Sequence, residues 1–238
     1  MDSVLSAVLS SMQVDLARMD RVAMNIANAQ TPGYKREVLA AGSFAARVDG
    51  ASLAVHTDLR PGTLKATGQA LDFALSGAGW FEVSTPQGMA YTRQGNFRLD
   101  ATGRLVTQQG HAVMGVAGDI VLPSGAPVVD AGGRLFPGPG AERSDAAALA
   151  QLRIVQFEPG TALQRIGDGL VVTRGSPAPV PEGSLQVQQG FLENSNVSHM
   201  HEMVGLLESV RHMEAMQKVA LGYDEMLGAS IRKLGEPT

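Results

Sequence analysis

His201-Glu202 opens the way a zinc-protease helix motif does, with a metal-binding imidazole followed by a general-base carboxylate. The second imidazole would have to stand at 205, one turn on and on the same helix face, and that residue is Gly205. The motif is therefore incomplete. His199, His201 and His212 are the other candidate metal donors, but 199 and 201 point to different sides of a helix. Gly77-Ala78-Gly79 runs into the aromatic pair Trp80-Phe81, so it reads as a turn before a strand and not as a phosphate-cradling loop before a helix. No Gly-Lys dipeptide supplies a Walker loop, and no Gly-x-Ser-x-Gly elbow supplies a nucleophile. Asp100, Asp130 and Asp168 each lie in an Asp-and-Gly context that suits turn-making rather than acid catalysis. Asn196-Val197-Ser198 fits the glycosylation sequon and equally fits the capping of a helix that starts just after it. With Cys 0, thiol, disulfide and iron-sulfur chemistry are excluded. These residues predict no enzyme, no metal site and no cofactor.

Composition shows what surrounds them. Residues 33–190 hold 24 of the 28 Gly and 10 of the 12 Pro, whereas nine of the 11 Met lie outside that stretch. Turn-formers thus crowd the middle and helix-formers the ends. A net charge of -4 and no basic run argue against a nucleic-acid partner. No stretch is long and apolar enough for a membrane helix, and the first basic residue, Arg18, comes too late for a secretory signal peptide.

The ends carry helical periodicity. Leu5, Leu9, Met12, Leu16, Met19, Ala23 and Ile26 alternate at spacings of 4 and 3, up to a stop at Thr31-Pro32-Gly33, where Pro-Gly suits the centre of a type II turn. This predicts a helix ending between Asn28 and Thr31. Leu206, Val210, Met213, Met216, Ala220, Tyr223, Leu227, Ile231 and Leu234 form a second stripe with a period near 3.5, predicting a helix that begins between Asn196 and His199. Both stripes read as coiled-coil-like seams that pack on each other or on the body of the same molecule, or, being narrow and methionine-rich, serve as an assembly interface with non-identical partners.

The middle reads as β-structure. Trp80 to Arg93 has the form strand, Thr85-Pro86-Gln87-Gly88 turn, strand. A second hairpin turns on Asp100-Ala101-Thr102-Gly103, and its pattern returns at Asp130-Ala131-Gly132-Gly133-Arg134-Leu135, suggesting two related hairpins. Strands are also expected near 152–157 and 170–173, with exposed connections at 137–146 and 177–181. The expected fold class is α+β, with helical ends around a β-rich middle.

Three motifs then resemble one family. Asn25-Ile26-Ala27-Asn28 with Thr31-Pro32-Gly33-Tyr34-Lys35 is similar to the N-terminal signature of the bacterial flagellar rod and hook proteins. Leu71 to Val83 followed by Tyr91 to Phe97 looks like their central motif. Gly190-Phe191-Leu192-Glu193-Asn194-Ser195-Asn196-Val197 resembles their C-terminal signature. Arg211-His212 departs from the family, which commonly has an aromatic after the arginine, and the short chain points to the proximal rather than the distal rod branch. The resemblance implies a discontinuous, coiled-coil-like helical assembly domain made from both chain ends, 1–36 with 191–238, around a β-rich middle domain, 37–190, in a non-enzymatic structural subunit exported by the flagellar type III apparatus without cleavage. It also implies assembly with other rod subunits and with itself in the periplasmic basal body.

Overall fold

The computed structural model describes residues 2–39, 55–123, 127–138, 148–158, 161–173, 175–181, 183 and 186–235. The chain divides into two compact units, one of residues 1–27, 37–56 and 197–238, the other of residues 28–36 and 57–196.

The first unit carries two long helices, α1 (Asp2–Ala27) and α2 (His199–Gly235). α1 stops just short of the predicted interval. Thr31 N–H donates to the Asn28 carbonyl at 3.0 Å and Thr31 Oγ1 to Asn28 Oδ1 at 3.2 Å, a turn that forms because Pro32 disfavours helix in the residue before it. α2 begins at His199, inside its predicted interval. The Ser198 carbonyl accepts from Glu202 N–H at 3.0 Å, and Glu202 places its carboxylate in the first turn.

The α+β class holds, but the helices do not form a coiled-coil terminal domain. On α1 the buried positions are Val8, Asp15, Val22 and Asn25. All four fall one residue before predicted seam positions, Leu9, Leu16, Ala23 and Ile26, a rotation of about 100° on a helix with 3.6 residues per turn. The predicted Leu5, Leu9 and Leu16 are 47%, 53% and 53% exposed. On α2 the deepest residues are Glu202 and Ser209. The two helices meet through polar pairs as well as apolar contacts: His212 Nδ1 lies 2.5 Å from Asp15 Oδ2, and Asn25 Nδ2 donates to Glu202 Oε2 at 3.1 Å. An interface with carboxylates, a carboxamide and a hydroxyl at its buried positions is not the interlocked apolar seam of a coiled coil.

In chain order the strands begin with β1 (Glu37–Leu39) and β2 (Val55–Thr57), which pair with each other. β3 (Leu64–Ala66) and β4 (Phe73–Ser76) precede the central hairpin of β5 (Trp80–Thr85) and β6 (Gly88–Thr92). That hairpin has the predicted form, with Thr85 opposite Gly88. Two short hairpins follow, β7 (Arg98–Leu99) with β8 (Leu105–Val106), and β9 (Ala112–Gly115) with β10 (Gly118–Asp119). β11 (Val128–Val129), β12 (Arg134–Phe136) and β13 (Ala150–Gln151) make a three-stranded sheet. β14 (Ile154–Gln156), β15 (Leu163–Gly167), β16 (Leu170–Thr173) and β17 (Ala178–Pro179) complete a ten-stranded sheet running β15-β16-β6-β5-β9-β8-β7, with β10 on β9 and with β14 joining β5 to β17. Finally β18 (Gln186–Gln189) pairs with β4, and β19 (Phe191–Glu193) with β3.

The central sheet is apolar on both faces. Phe81, Val83, Ala90 and Leu170 enter the main core with Phe73 and Phe97, while Trp80, Tyr91 and Val171 pack on Phe157 on the other side. Strand alternation explains this division, since neighbouring residues of β5, β6 and β16 point to opposite faces. The predicted hairpin echo is real in its bonding. In each turn the first Asp accepts from the Gly N–H at 3.0 Å through its carbonyl, and its Oδ1 accepts from the N–H groups two and four residues on. Gly103 (φ 81) and Gly133 (φ 78) take the same left-handed conformation, and Leu105 and Leu135 are both fully buried. Of the predicted connections, 177–181 contains β17, an edge strand where Pro179 can lack an N–H without breaking a ladder. Residues 139–147, most of the other, lie outside the described residues.

Candidate functional site

Glu193, at the end of β19, is the centre of a buried charge cluster in the β-rich unit. Its side chain and that of Lys35 are 1% and 2% exposed, and Lys35 Nζ sits 2.6 Å from Glu193 Oε1. Arg93, also buried, brings Nε to 3.0 Å from Glu193 Oε2. One carboxylate therefore faces two cations. Main-chain carbonyls take further donors: Lys35 Nζ donates to the Arg60 carbonyl at 2.9 Å, and Arg93 donates to the Gly79 and Gly77 carbonyls at 2.5 and 2.7 Å, while Arg93 Nε and Glu193 Oε2 meet as an ion pair without hydrogen-bond geometry. Glu193 Oε1 also accepts from Gly62 N–H at 2.7 Å. Burial pushes the Lys35 ammonium below its ordinary pKa, helped by the Arg93 charge, and the ion pair with Glu193 pulls the other way. The Arg93 guanidinium is lowered by burial too, again opposed by Glu193.

The turn before Lys35 sets its position. Tyr34 N–H donates to the Thr31 carbonyl at 3.2 Å, with Pro32 and Gly33 (φ 67) at the centre of the predicted type II turn. Gly33 N–H donates to the Glu193 carbonyl at 2.7 Å, and a Cβ on Gly33 would stand 2.4 Å from the Arg93 carbonyl carbon. Gly33→Ala is expected to destabilise the unit by more than the 1–3 kcal/mol that a left-handed non-glycine residue costs on its own, read as a lower urea midpoint. A midpoint equal to that of the parent would show that this close approach relaxes freely.

Neighbouring signature residues complete the clasp. The Arg165 guanidinium lies 4.1 Å from the Tyr34 ring centroid and donates to the Lys35 carbonyl. Asn196 Oδ1 accepts from Arg36 N–H at 2.7 Å, and its Nδ2 donates to the Asp58 and Arg60 carbonyls at 2.9 and 3.0 Å. Gly190 N–H donates to the Asp72 carbonyl and its own carbonyl accepts from Thr67, while half-buried Leu192 sits in register with Lys65. Ser195 and Val197, both half-buried, flank Asn196. The remaining signature residue, Asn25, belongs to the first unit. There it donates to the Glu37 carbonyl and accepts from Glu37 N–H at 3.0 Å, fixing β1 to α1 beside the Arg21–Glu37 ion pair at 3.1 Å.

Beside the cluster, hydrogen bonds from Arg60 hold the Asp58 carboxyl below the usual carboxylate range. An acid whose folded pKa is depressed contributes stability that is complete above its unfolded value, near 3.9, and is lost as pH falls through the folded value. Stability is therefore expected to drop on acidification below about pH 4, and Asp58→Asn should flatten part of that slope in urea titrations across pH 2–5. An unchanged slope would remove Asp58 from the acid response.

The predicted seam residues distribute differently. Leu5, Leu9, Leu16 and Ala23 on α1, and Val210 and Ile231 on α2, are exposed, while Met12, Met19, Ile26, Leu206, Met213, Met216, Ala220, Tyr223 and Leu227 are half-buried. The Leu234 side chain lies outside the described residues. Sequence reading did not single out Arg93, Glu37 or Arg165 as site residues. The available signal was a charge inside an otherwise apolar or turn-forming motif, as in Tyr91-Thr92-Arg93. The histidines do not converge: His201 Nδ1 contacts Ser198 Oγ at 3.0 Å, and His212 contacts Asp15. Among the described residues no group of His, Asp and Glu could hold a metal ion, and no helix is long and apolar enough to cross a membrane.

Buried charges paired with one another, at the meeting point of three sequence-distant motifs, define a structural protein whose signature residues hold its own strands and turns in place. Residues 74–133 match the flagellar hook protein FlgE/F/G D1 domain, and residues 188–233 match the flagellar basal body rod FlgEFG protein C-terminal domain. The flagellar basal-body rod protein FlgF of Escherichia coli is 34% identical, with 96% of each chain covered. FlgF of Salmonella typhimurium is 33% identical, also over 96% of each chain, and FlgF of Mesorhizobium japonicum 31% identical over 95% of this chain and 96% of its own. Relatives named FlgG align at 27–29% identity. The chain belongs to the flagellar basal-body rod protein family and is a structural rod subunit of the FlgF/FlgG type, located in the basal body.

Proposed function

We propose that this subunit is exported through the flagellar type III apparatus without losing a leader, enters the periplasmic rod beside other rod subunits and copies of itself, and there transmits torque without any catalytic step. The observation that supports this is the apolar stripe of α1. Leu5, Leu9 and Leu16 are about half exposed on a helix that already packs against α2 through its adjacent face. An open helical polymer needs two unlike surfaces that meet without closing a ring. In this reading α1 supplies one through Leu5, Leu9, Leu16 and Ala23, and α2 supplies the other through Val210 and Ile231. Residues 1–36 with 191–238 carry assembly, and 37–190 form the body. Deleting the gene is expected to abolish swimming and leave no hook-basal body in detergent extracts. Normal flagella in the deletion strain would overturn the proposal.

A further inference from the structure

The twin turns of the β-rich unit differ in one respect that points to a ligand. In the first, the Arg104 guanidinium is held by acids of the same chain, with Nε 3.0 Å from Asp100 Oδ2 and NH1 3.5 Å from Asp119 Oδ2. In the second, the equivalent Arg134 is exposed, and its guanidinium has no ion pair or hydrogen bond among the described residues. The Asp130 carboxylate beside it is engaged by the Gly132 and Arg134 N–H groups at 2.9 and 2.8 Å. Arg134 stands at a cavity of about 720 Å³ lined on its far side by Pro177, Pro179, Val180, Pro181 and Gly183, within the range of sites that take small ligands or short side-chain clusters.

The other walls are largely apolar, with Val116, Pro177, Pro179 and Val180. Val116 is 62% exposed, an isolated apolar side chain at the mouth. The remaining arginine of the cavity, Arg153, is already paired with Glu82 at 3.3 Å. The edge strand β17 ends in Pro179, and Pro181 follows, so this rim lacks the N–H groups that an added β-strand would need. Recognition at this place must come from side chains. We propose that the cleft binds a segment of a partner polypeptide that presents an Asp or Glu carboxylate next to an apolar side chain. Arg134 takes the carboxylate, as its twin Arg104 takes Asp100 and Asp119, and the Pro-Val wall takes the apolar group.

The probe is acetyl-Leu-Asp-Leu-amide, titrated into the full 15N-labelled chain and compared with acetyl-Leu-Asn-Leu-amide. Saturable amide shifts confined to Val116, Arg134, Gln151 and Val180 are expected, with the Asn peptide at least about tenfold weaker because it lacks the charge-assisted bond. Arg134→Gln should bring the two peptides to equal affinity. Because Arg134 is exposed, the variant should keep the parent melting curve, which separates lost recognition from lost folding. Shifts that do not saturate, or an Arg134→Gln chain that still prefers the Asp peptide, would overturn the assignment.

Discussion

Glu193→Gln is expected to lower the unfolding free energy of the β-rich unit by about 3–5 kcal/mol, the cost of breaking a buried pair by removing one partner. The substitution keeps the shape and an acceptor for Gly62 N–H, yet leaves the buried Lys35 and Arg93 without the only carboxylate that touches them among the described residues. Lys35→Met on its own should cost less, because Glu193 and Arg93 remain as a neutral pair. The double variant Lys35→Met with Glu193→Gln should be more stable than Glu193→Gln alone, since one uncompensated cation is gone and Arg93 still has the Gly77 and Gly79 carbonyls. Trp80, the only tryptophan and buried in β5 of the same unit, reports unfolding in urea through its fluorescence. A loss below about 1 kcal/mol, the range of an exposed pair, would mean that water reaches the cluster.

Local signals in the sequence account for much of this fold. Pro-Gly at 32 and 33 marks the turn that delivers Lys35, and Asp and Gly three residues apart mark both hairpin turns, because each conformation depends on residues within the turn itself. The charge cluster is not local. Lys35, Arg93 and Glu193 are far apart in sequence, each looks like an ordinary solvated charge, and long-range contacts such as the pairing of β19 with β3 and the Gly33 N–H bond to the Glu193 carbonyl bring the carboxylate to its cations. The register of α1 escaped for a related reason. Periodicity counts apolar residues, whereas its buried face includes Asp15 and Asn25, each accommodated by a polar partner on α2. The apolar stripe that periodicity does find lies beside that face and is left exposed at Leu5, Leu9, Leu16 and Ala23.

That exposure makes Leu9→Asp with Leu16→Asp the sharpest functional test. Both side chains are 53% exposed, so their loss should change the melting curve of the isolated subunit little, as for most surface substitutions. Each leucine already has about half its surface covered, so burying the rest between subunits would contribute roughly 0.8–1.5 kcal/mol. Losing two removes about 1.5–3 kcal/mol, or roughly tenfold to a hundredfold in association, before the added cost of burying a carboxylate. The expected phenotype is a folded, exported subunit in cells that do not swim and yield no complete hook-basal bodies. Val8→Asp provides the contrast, because Val8 is buried within the first unit; it should fail at folding, with a broadened or lowered melt, before assembly is reached. Swim halos of parental size from the double aspartate variant would remove this face of α1 from the subunit interface and transfer the role to α2, whose Met203, Leu207 and Val210 present an exposed stripe of their own.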